Sequence, residues 1–423
     1  MRRLIFLIGI IPLLCGCVYI LEPKDIVYEL TNNLYTARVY HLRVGVKNAI
    51  GFLMAGTTIK VNEVEYKTDD SGYAVIPLYY EEAGIKKLKI EKESINKTLE
   101  IDVKKPSWLI FLWLASDNNL DDQVMGDLEE MTNAAQDVSL IILWDSSNQS
   151  KDGIYVMTED STIIRIEETG EINSGDGNLL RYYTEKFSKI DSNYKAIIIW
   201  NHGLAWYDLN VYKTKGISYD DQSKDFLTIQ EITDNVTGNW DVLGMDACLM
   251  GSIEVIYALK DVADYILASA HNIPGTGWNY SFTRSISQST PLEMCEKIVD
   301  SYRDFYSNFP NISLAVYETK YISSAIDLFN EFLSTTNTKL QKNFWTTYSS
   351  SYCLYDLGEV LESLQATQVL NDFSQVVVYK YLSNSKPESL ATSIFVCKNI
   401  EKMNYGSTKF ATDTIWDEFL LGQ

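Results

Sequence analysis

Four stretches of this chain, WLIFLWLAS, VSLIILWD, YKAIIIWN and NWDVLGMD, are apolar almost without interruption. A strand with one wet face alternates apolar and polar residues. A run without alternation is buried on both faces, as in a parallel sheet covered by helices. Between these runs lie LDDQVMGDLEEMTNAAQ, NLLRYYTEKFSKI and LTIQEITDNV, which read as helices. Strand–helix alternation at this spacing predicts an α/β three-layer domain with a mostly parallel sheet. Ligands of such sheets bind beyond the carboxyl ends of the strands. From Pro291 onward the chain adds two helical segments, LEMCEKIVDSYRDFYSN and SSAIDLFNEFLSTT, and a late strand, ATSIFVC.

The region before Lys104-Lys105-Pro106 follows a different period. ARVYHLRVGV, TTIKVNEVEYKT, GYAVIPLYY and KKLKIEKESINKTLEIDV are short alternating runs broken by turn residues such as Asp69-Asp70-Ser71-Gly72. They predict a small all-β sandwich. YKTDDSGYAVIPL resembles the strand–turn–strand of bacterial Ig-like or transthyretin-like modules. The first residues, MRRLIFLIGIIPLLCGC, have a basic start and an apolar run too short to span a bilayer. Leu14-Cys15-Gly16-Cys17 resembles a bacterial lipobox with Cys17 as the acylated residue. The expected division is a lipoprotein signal peptide at 1–17, a β-sandwich spacer at 18–105 and a catalytic domain at 106–423. Export to a bacterial cell envelope follows, with a lipid anchor at Cys17 holding the chain to a membrane.

Net charge is −21, which disfavours nucleic acid as a partner because phosphates want a basic face. Beyond the signal region four cysteines remain, Cys248, Cys295, Cys353 and Cys397, without CxxC spacing or a neighbouring histidine. That pattern predicts no metal site of the zinc type. Cys295, Cys353 and Cys397 read as core thiols.

Cys248 reads differently. The chain has three histidines, His41, His202 and His271. His202 ends AIIIWNH and Cys248 ends VLGMDAC, so two successive strands deliver an imidazole and a thiol to one rim. A thiol attacks as thiolate, and an adjacent imidazole can take its proton and return it to a leaving amine. The segment LMGSIEVIYALKD after Cys248 reads as a helix starting at the nucleophile. Backbone N–H groups of Gly203 and Cys248 could stabilise an oxyanion. Asp246 lies two residues before the cysteine on a strand and so should share its face. It either binds a cationic substrate side chain or simply hydrogen-bonds at the strand end.

These residues resemble the clostripain-like (C11) cysteine peptidases of the caspase–gingipain clan. The resemblance rests on NHG after an apolar strand and DACLMG after the next. It extends to WLIFLWLASDNNLDDQVMGDLEEM, SYDDQSKDFLTIQEI, ILASAHNIPGTGWNY and SIFVCKN…TIWDEFL, and so covers about Pro106–Gln423. It implies a caspase-like fold and endopeptidase activity on proteins or peptides, through a Cys248–His202 dyad, after Arg or Lys. Asp246, His271 and Trp278 would form the S1 pocket. His271-Asn272 stands where relatives often carry acidic residues, and Ala205 where a small Gly pattern is common. The clan's maturation implies self-cleavage at Lys213 or Lys215, in a linker that reads as a polar loop. Calcium activation is implied by the resemblance, but no EF-hand spacing marks a site, and no cofactor is expected.

The order histidine then cysteine favours the caspase-like arrangement over the α/β-hydrolase and papain-like ones, in which the nucleophile comes first and for which the only later histidine is His271. The alternative of another class is a catalytically idle surface lipoprotein that binds peptides or glycans.

Overall fold

The computed structural model describes residues 22–209, 214–340, 344, 346–398 and 405–422. Cys17 and Lys213 lie outside the described residues. The chain divides between Lys105 and Pro106 into two compact units.

In the first unit, Arg38–Asn48 pairs antiparallel with Pro23–Glu29 on one side and Tyr73–Leu78 on the other. A second sheet runs in the order Leu34–Tyr35, Ile95–Lys104, Gly84–Lys92, Thr58–Val61, Val64–Lys67. Every second residue of Tyr73–Leu78 is buried, as the alternating sequence requires. Ile26, Leu42, Val44 and Ile76 of one sheet share a core with Ile59, Ile90 and Ile101 of the other. The turn predicted at Asp69 forms because its carboxylate accepts the N–H of Ser71 at 2.8 Å and of Tyr73 at 3.2 Å.

The second unit is built on the apolar runs. Its sheet contains five central parallel strands in the order Val138–Ser146, Trp108–Ser116, Tyr194–Trp200, Val242–Asp246, Tyr265–Ala268. Antiparallel strands close both margins: Gly153–Thr158 and Ile163–Glu168 beyond Val138, and Ser313–Glu318 and Val377–Leu382 beyond Tyr265. All nine residues of Trp108–Ser116 and of Val138–Ser146 are buried, so both faces are covered. Ile110, Leu112 and Leu114 enter one core with Val124 and Leu128 of helix Val124–Met131 and Ile298 and Tyr302 of helix Pro291–Phe305. Phe111 points the other way and meets Phe187 of helix Gly177–Ser188, ring centroids 4.9 Å apart. Two capping boxes, Thr228 with Glu231 and Thr290 with Glu293, start the helices Ile229–Asn235 and Pro291–Phe305.

Three expectations need correction. The linker after His202 is not a polar loop. Gly203–Leu209, Thr214–Asp220 and Asp225–Leu227 form a three-stranded antiparallel sheet, which places Lys215 within a strand. Ile217 and Leu227 are buried in it, and so are the polar side chains of Ser218 and Asp220.

The helix after Cys248 starts later, at Ile253, with Ser252 as its N-cap. Leu249 and Gly251 instead donate N–H bonds to the carbonyls of His271 at 3.1 Å and Ser269 at 2.7 Å, which keeps this segment out of a helix.

Cys353 and Cys397 are not core thiols but a disulfide. They flank the paired strands Leu354–Asp356 and Ser393–Phe395, which bring residues 44 apart in sequence together. Cys295 is a buried free thiol, as expected.

Candidate active site

Trp200 and Asp246 are register partners in adjacent parallel strands, so two further residues on each bring His202 and Cys248 to the same level. The strand ends then pass very close. A Cβ on Gly203 would lie 2.5 Å from the Cys248 carbonyl oxygen, which leaves no room for any side chain there. His202, Gly203, Asp246, Cys248, Ile273 and Tyr352 line one cleft of about 480 Å³.

The thiol is half-buried. Its sulfur accepts the Ile273 N–H at 3.2 Å and faces the Ile273 carbonyl at 3.7 Å. Burial holds the thiol above its ordinary value; the Ile273 N–H offsets part of this, and the Asp246 charge adds to it. Burial lowers the His202 imidazole, with Asp221 acting against it. At neutral pH both groups therefore rest uncharged, with the proton on sulfur.

His202 is oriented from behind. Its Nε2 lies 2.9 Å from the Asn119 amide oxygen, so Nε2 carries the proton and Nδ1 remains the basic nitrogen. Asn201 fixes the preceding backbone: its oxygen accepts the His202 N–H, and its amide donates to the Ala115 carbonyl and to Tyr219 O at 3.0 Å. Neither asparagine was singled out by sequence reasoning. The signal available was the run Asp117-Asn118-Asn119 directly beyond a buried strand.

Asp246 sits at the cleft floor, 3% exposed. One carboxylate oxygen accepts the Trp278 N–H at 2.9 Å and the Tyr280 hydroxyl at 3.0 Å. The other is buried without a hydrogen bond. Burial pushes its pKa up to about 7 against the pull of those two donors. Glu130 adds negative charge close by, and neighbouring Asp127 is pushed up to about 9, chiefly by burial and then by Asp246.

His271 and Trp278 are not brought to this cleft. The His271 ring packs edge-on against Tyr348 at 4.4 Å and faces a separate hollow with Asn311 and Thr346. Burial drives its pKa down to about 4, so it is a neutral residue of that wall. The Trp278 indole is 1% exposed and lies against Gly244, under the sheet, so only its backbone N–H reaches Asp246.

The mixed α/β sheet of the second unit is shared with solved C11 cysteine proteases. A secreted C11 cysteine protease from Bacteroides thetaiotaomicron, solved with an irreversible peptide inhibitor, superposes with a TM-score of 0.61 at 20% identity, covering 74% of this chain and all of that one. An inactive zymogen C11 protease from Parabacteroides distasonis gives 0.59 at 18% identity, covering 74% of this chain and 99% of that one. Residues 112–420 match the family model described as the clostripain family. The chain belongs to the clostripain family. Clostripain of Hathewaya histolytica is 29% identical over 214 residues, a stretch covering 40% of this chain and 40% of clostripain.

Proposed function

We propose that this chain is a cysteine endopeptidase that cleaves after Lys or Arg, with Cys248 as nucleophile and His202 as base. The observation that carries this reading is the convergence of the thiol, the imidazole and the unsatisfied Asp246 oxygen on one cleft. His202 Nδ1 takes the thiol proton as sulfur attacks the carbonyl carbon. The backbone N–H groups of Gly203 and Cys248 stabilise the oxyanion. His202 then gives its proton to the leaving amine, and water, activated by the same imidazole, hydrolyses the thioester. The P1 cation pairs with Asp246, whose second oxygen lacks a donor.

The disulfide supports export to an oxidising compartment. In the same reading Cys17 carries the lipid, residues 18–105 form an Ig-like or transthyretin-like spacer, and self-cleavage falls at Lys213 or Lys215.

The test is a P1-scanned peptide library read across pH. For Arg or Lys peptides, kcat/KM should fall as pH drops through about 7, because Asp246 takes up a proton there and loses its charge. A second fall, below the ordinary histidine value of about 6.5, marks protonation of His202, whose pKa burial lowers. Asp246→Asn should remove the upper step and reduce kcat/KM for basic P1 by roughly 100-fold. Equal turnover of basic and neutral P1 peptides by wild type would overturn the specificity.

A further inference from the structure

Beside the cleft lies a second hollow, of about 410 Å³, that the proposed chemistry does not use. His271, Asn311, Thr346, Thr347, Ser383 and Asn384 line it. Two of these present buried polar atoms without a hydrogen bond. His271 and Thr346 are each 6% exposed, and neither His271 Nδ1 nor Thr346 Oγ1 has a partner. Both residues are held firmly from behind. The Ser269 and Ser313 hydroxyls each accept the His271 N–H at 3.2 Å, and the Glu359 carboxylate accepts the Thr346 N–H at 3.1 Å. The His271 ring rests on Tyr348, whose hydroxyl donates to Asp356 at 2.6 Å. Buried polar atoms are ordinarily satisfied, so this pair marks a place for a hydrogen-bonding ligand.

The sheet fixes where the hollow stands. His202, Cys248 and His271 follow the successive strands Tyr194–Trp200, Val242–Asp246 and Tyr265–Ala268. Asn311 precedes the next strand, Ser313–Glu318, and Ser383 follows the one after, Val377–Leu382. Ala268 pairs with Ala315 and Ser313 with Leu382, so all these residues share one edge. The hollow therefore lies across Cys248 from His202. The leaving amine must face His202, which protonates it, so the acyl part of a substrate runs the other way, toward the hollow. The two spaces share a wall: Asn272 and Ile273 line the cleft where His271 lines the hollow, and Ser349 lines the cleft where Thr347 lines the hollow. With strands about 4.8 Å apart, a point two strands beyond Cys248 is about 10 Å away. An extended chain covers about 3.3 Å per residue, which brings the third residue before the cleaved bond there. Its side chain shares the face of the first, and the second faces away.

We infer that this hollow is the subsite for the third residue before the cleaved bond and selects an uncharged carboxamide there, Gln or Asn. The assignment rests on the proposed peptidase reading. Among the described lining residues only His271 can ionise, and burial drives it down to about 4. A charged side chain would thus lose water without gaining a counter-charge. An apolar one would leave His271 Nδ1 and Thr346 Oγ1 dry and unpaired. A carboxamide carries two donors and an acceptor, so it can serve the imidazole nitrogen in either tautomer and the hydroxyl together.

The test uses the full chain and peptides with Arg before the cleaved bond and Gln, Asn, Glu, Ala or Leu two residues earlier. Glu has nearly the shape of Gln and differs in charge. For Gln or Asn, kcat/KM should exceed that for Ala, Leu or Glu by about 10-fold, the worth of two ordinary hydrogen bonds. Thr346→Val keeps the shape and removes the hydroxyl, and should cut the Gln-to-Ala ratio to about 3. Should that variant not fold, Asn384→Ala, at an exposed position, should lower the same ratio by at least about 2-fold. A ratio taken on one preparation is unmoved by lost active enzyme, so a purely structural role leaves it unchanged. A flat profile, or preference for Glu or Leu, overturns the subsite, and so does an unchanged ratio in the variants. Selectivity found at another position overturns its placement. Failure to cleave any of these peptides overturns the peptidase reading and the subsite with it, so the two failures are distinct.

Discussion

Cys248→Ala is expected to lower kcat on a Lys or Arg peptide by on the order of 10⁵-fold, the scale seen when a nucleophile is removed from a unit that acts together. The fold should survive. The lost sulfur leaves the Ile273 N–H, now bonded at 3.2 Å, without its acceptor, a cost of about 1 kcal/mol. The cleft is open enough for water to replace the sulfur there. A single-turnover assay and a melting curve on the same preparation separate the two effects. Intact mass adds a third readout. If self-cleavage occurs at Lys213 or Lys215, wild type resolves into two fragments and the variant stays a single chain. Identical single-chain masses end the self-processing idea, and full activity of the variant ends the assignment of Cys248.

Gly203→Ala should be nearly as damaging for a different reason. The new methyl group would sit 2.5 Å from the Cys248 carbonyl oxygen, 2.9 Å from the Ala247 Cβ and 3.0 Å from the Met250 sulfur. The nearest of these atoms is backbone, so no rotamer change relieves the clash. The Trp200–Asp246 register holds the two strands just before it, so the ends must part. Overpacking of this kind costs about 1–3 kcal/mol, and a displacement of about 1 Å between reacting groups costs about 100-fold in rate. Denaturant titration should therefore show lost stability, and kcat should fall out of proportion to it. Gly126→Ala is the control of opposite sign. That glycine is exposed inside helix Val124–Met131 with nothing within 4 Å of an added Cβ. Alanine there should raise stability by about 0.5–1 kcal/mol. Wild-type kcat in Gly203→Ala would refute the close approach of the two strand ends.

The centre of the fold was legible because the five parallel strands carry one unambiguous pattern. Trp108–Ser116 and Tyr194–Trp200 are apolar on both faces, and strand ends that carry His202 and Cys248 follow from counting. The side sheet from Gly203 to Leu227 was not. Its buried residues include the polar Ser218 and Asp220 beside Ile217, so WYDLNVYKTKGISYDDQSKD has the composition of a loop. The path after Cys248 was missed because it depends on Leu249 in a left-handed conformation, φ 63°, which a leucine does not announce. His271 and Trp278 lie near the cysteine in the chain's layout but point to other walls, and only packing decides that. Asn311, Thr346 and Asn384, which join His271 around the second hollow, come from separate segments, each unremarkable alone. The bridge between Cys353 and Cys397 was hidden for the same reason.

That bridge has a chemical consequence for how the protein must be handled. Ser349 and Tyr352, just ahead of Cys353, form part of the cleft wall, and both bridged sulfurs are only half-buried. A reductant added to keep the attacking sulfur free of oxidation can also exchange into this pair and unfasten that wall from the strand Ser393–Phe395. An oxidant does the reverse, securing the wall while capping the nucleophile. The two sulfur chemistries pull in opposite directions, so working strength belongs to an intermediate redox poise rather than to either extreme.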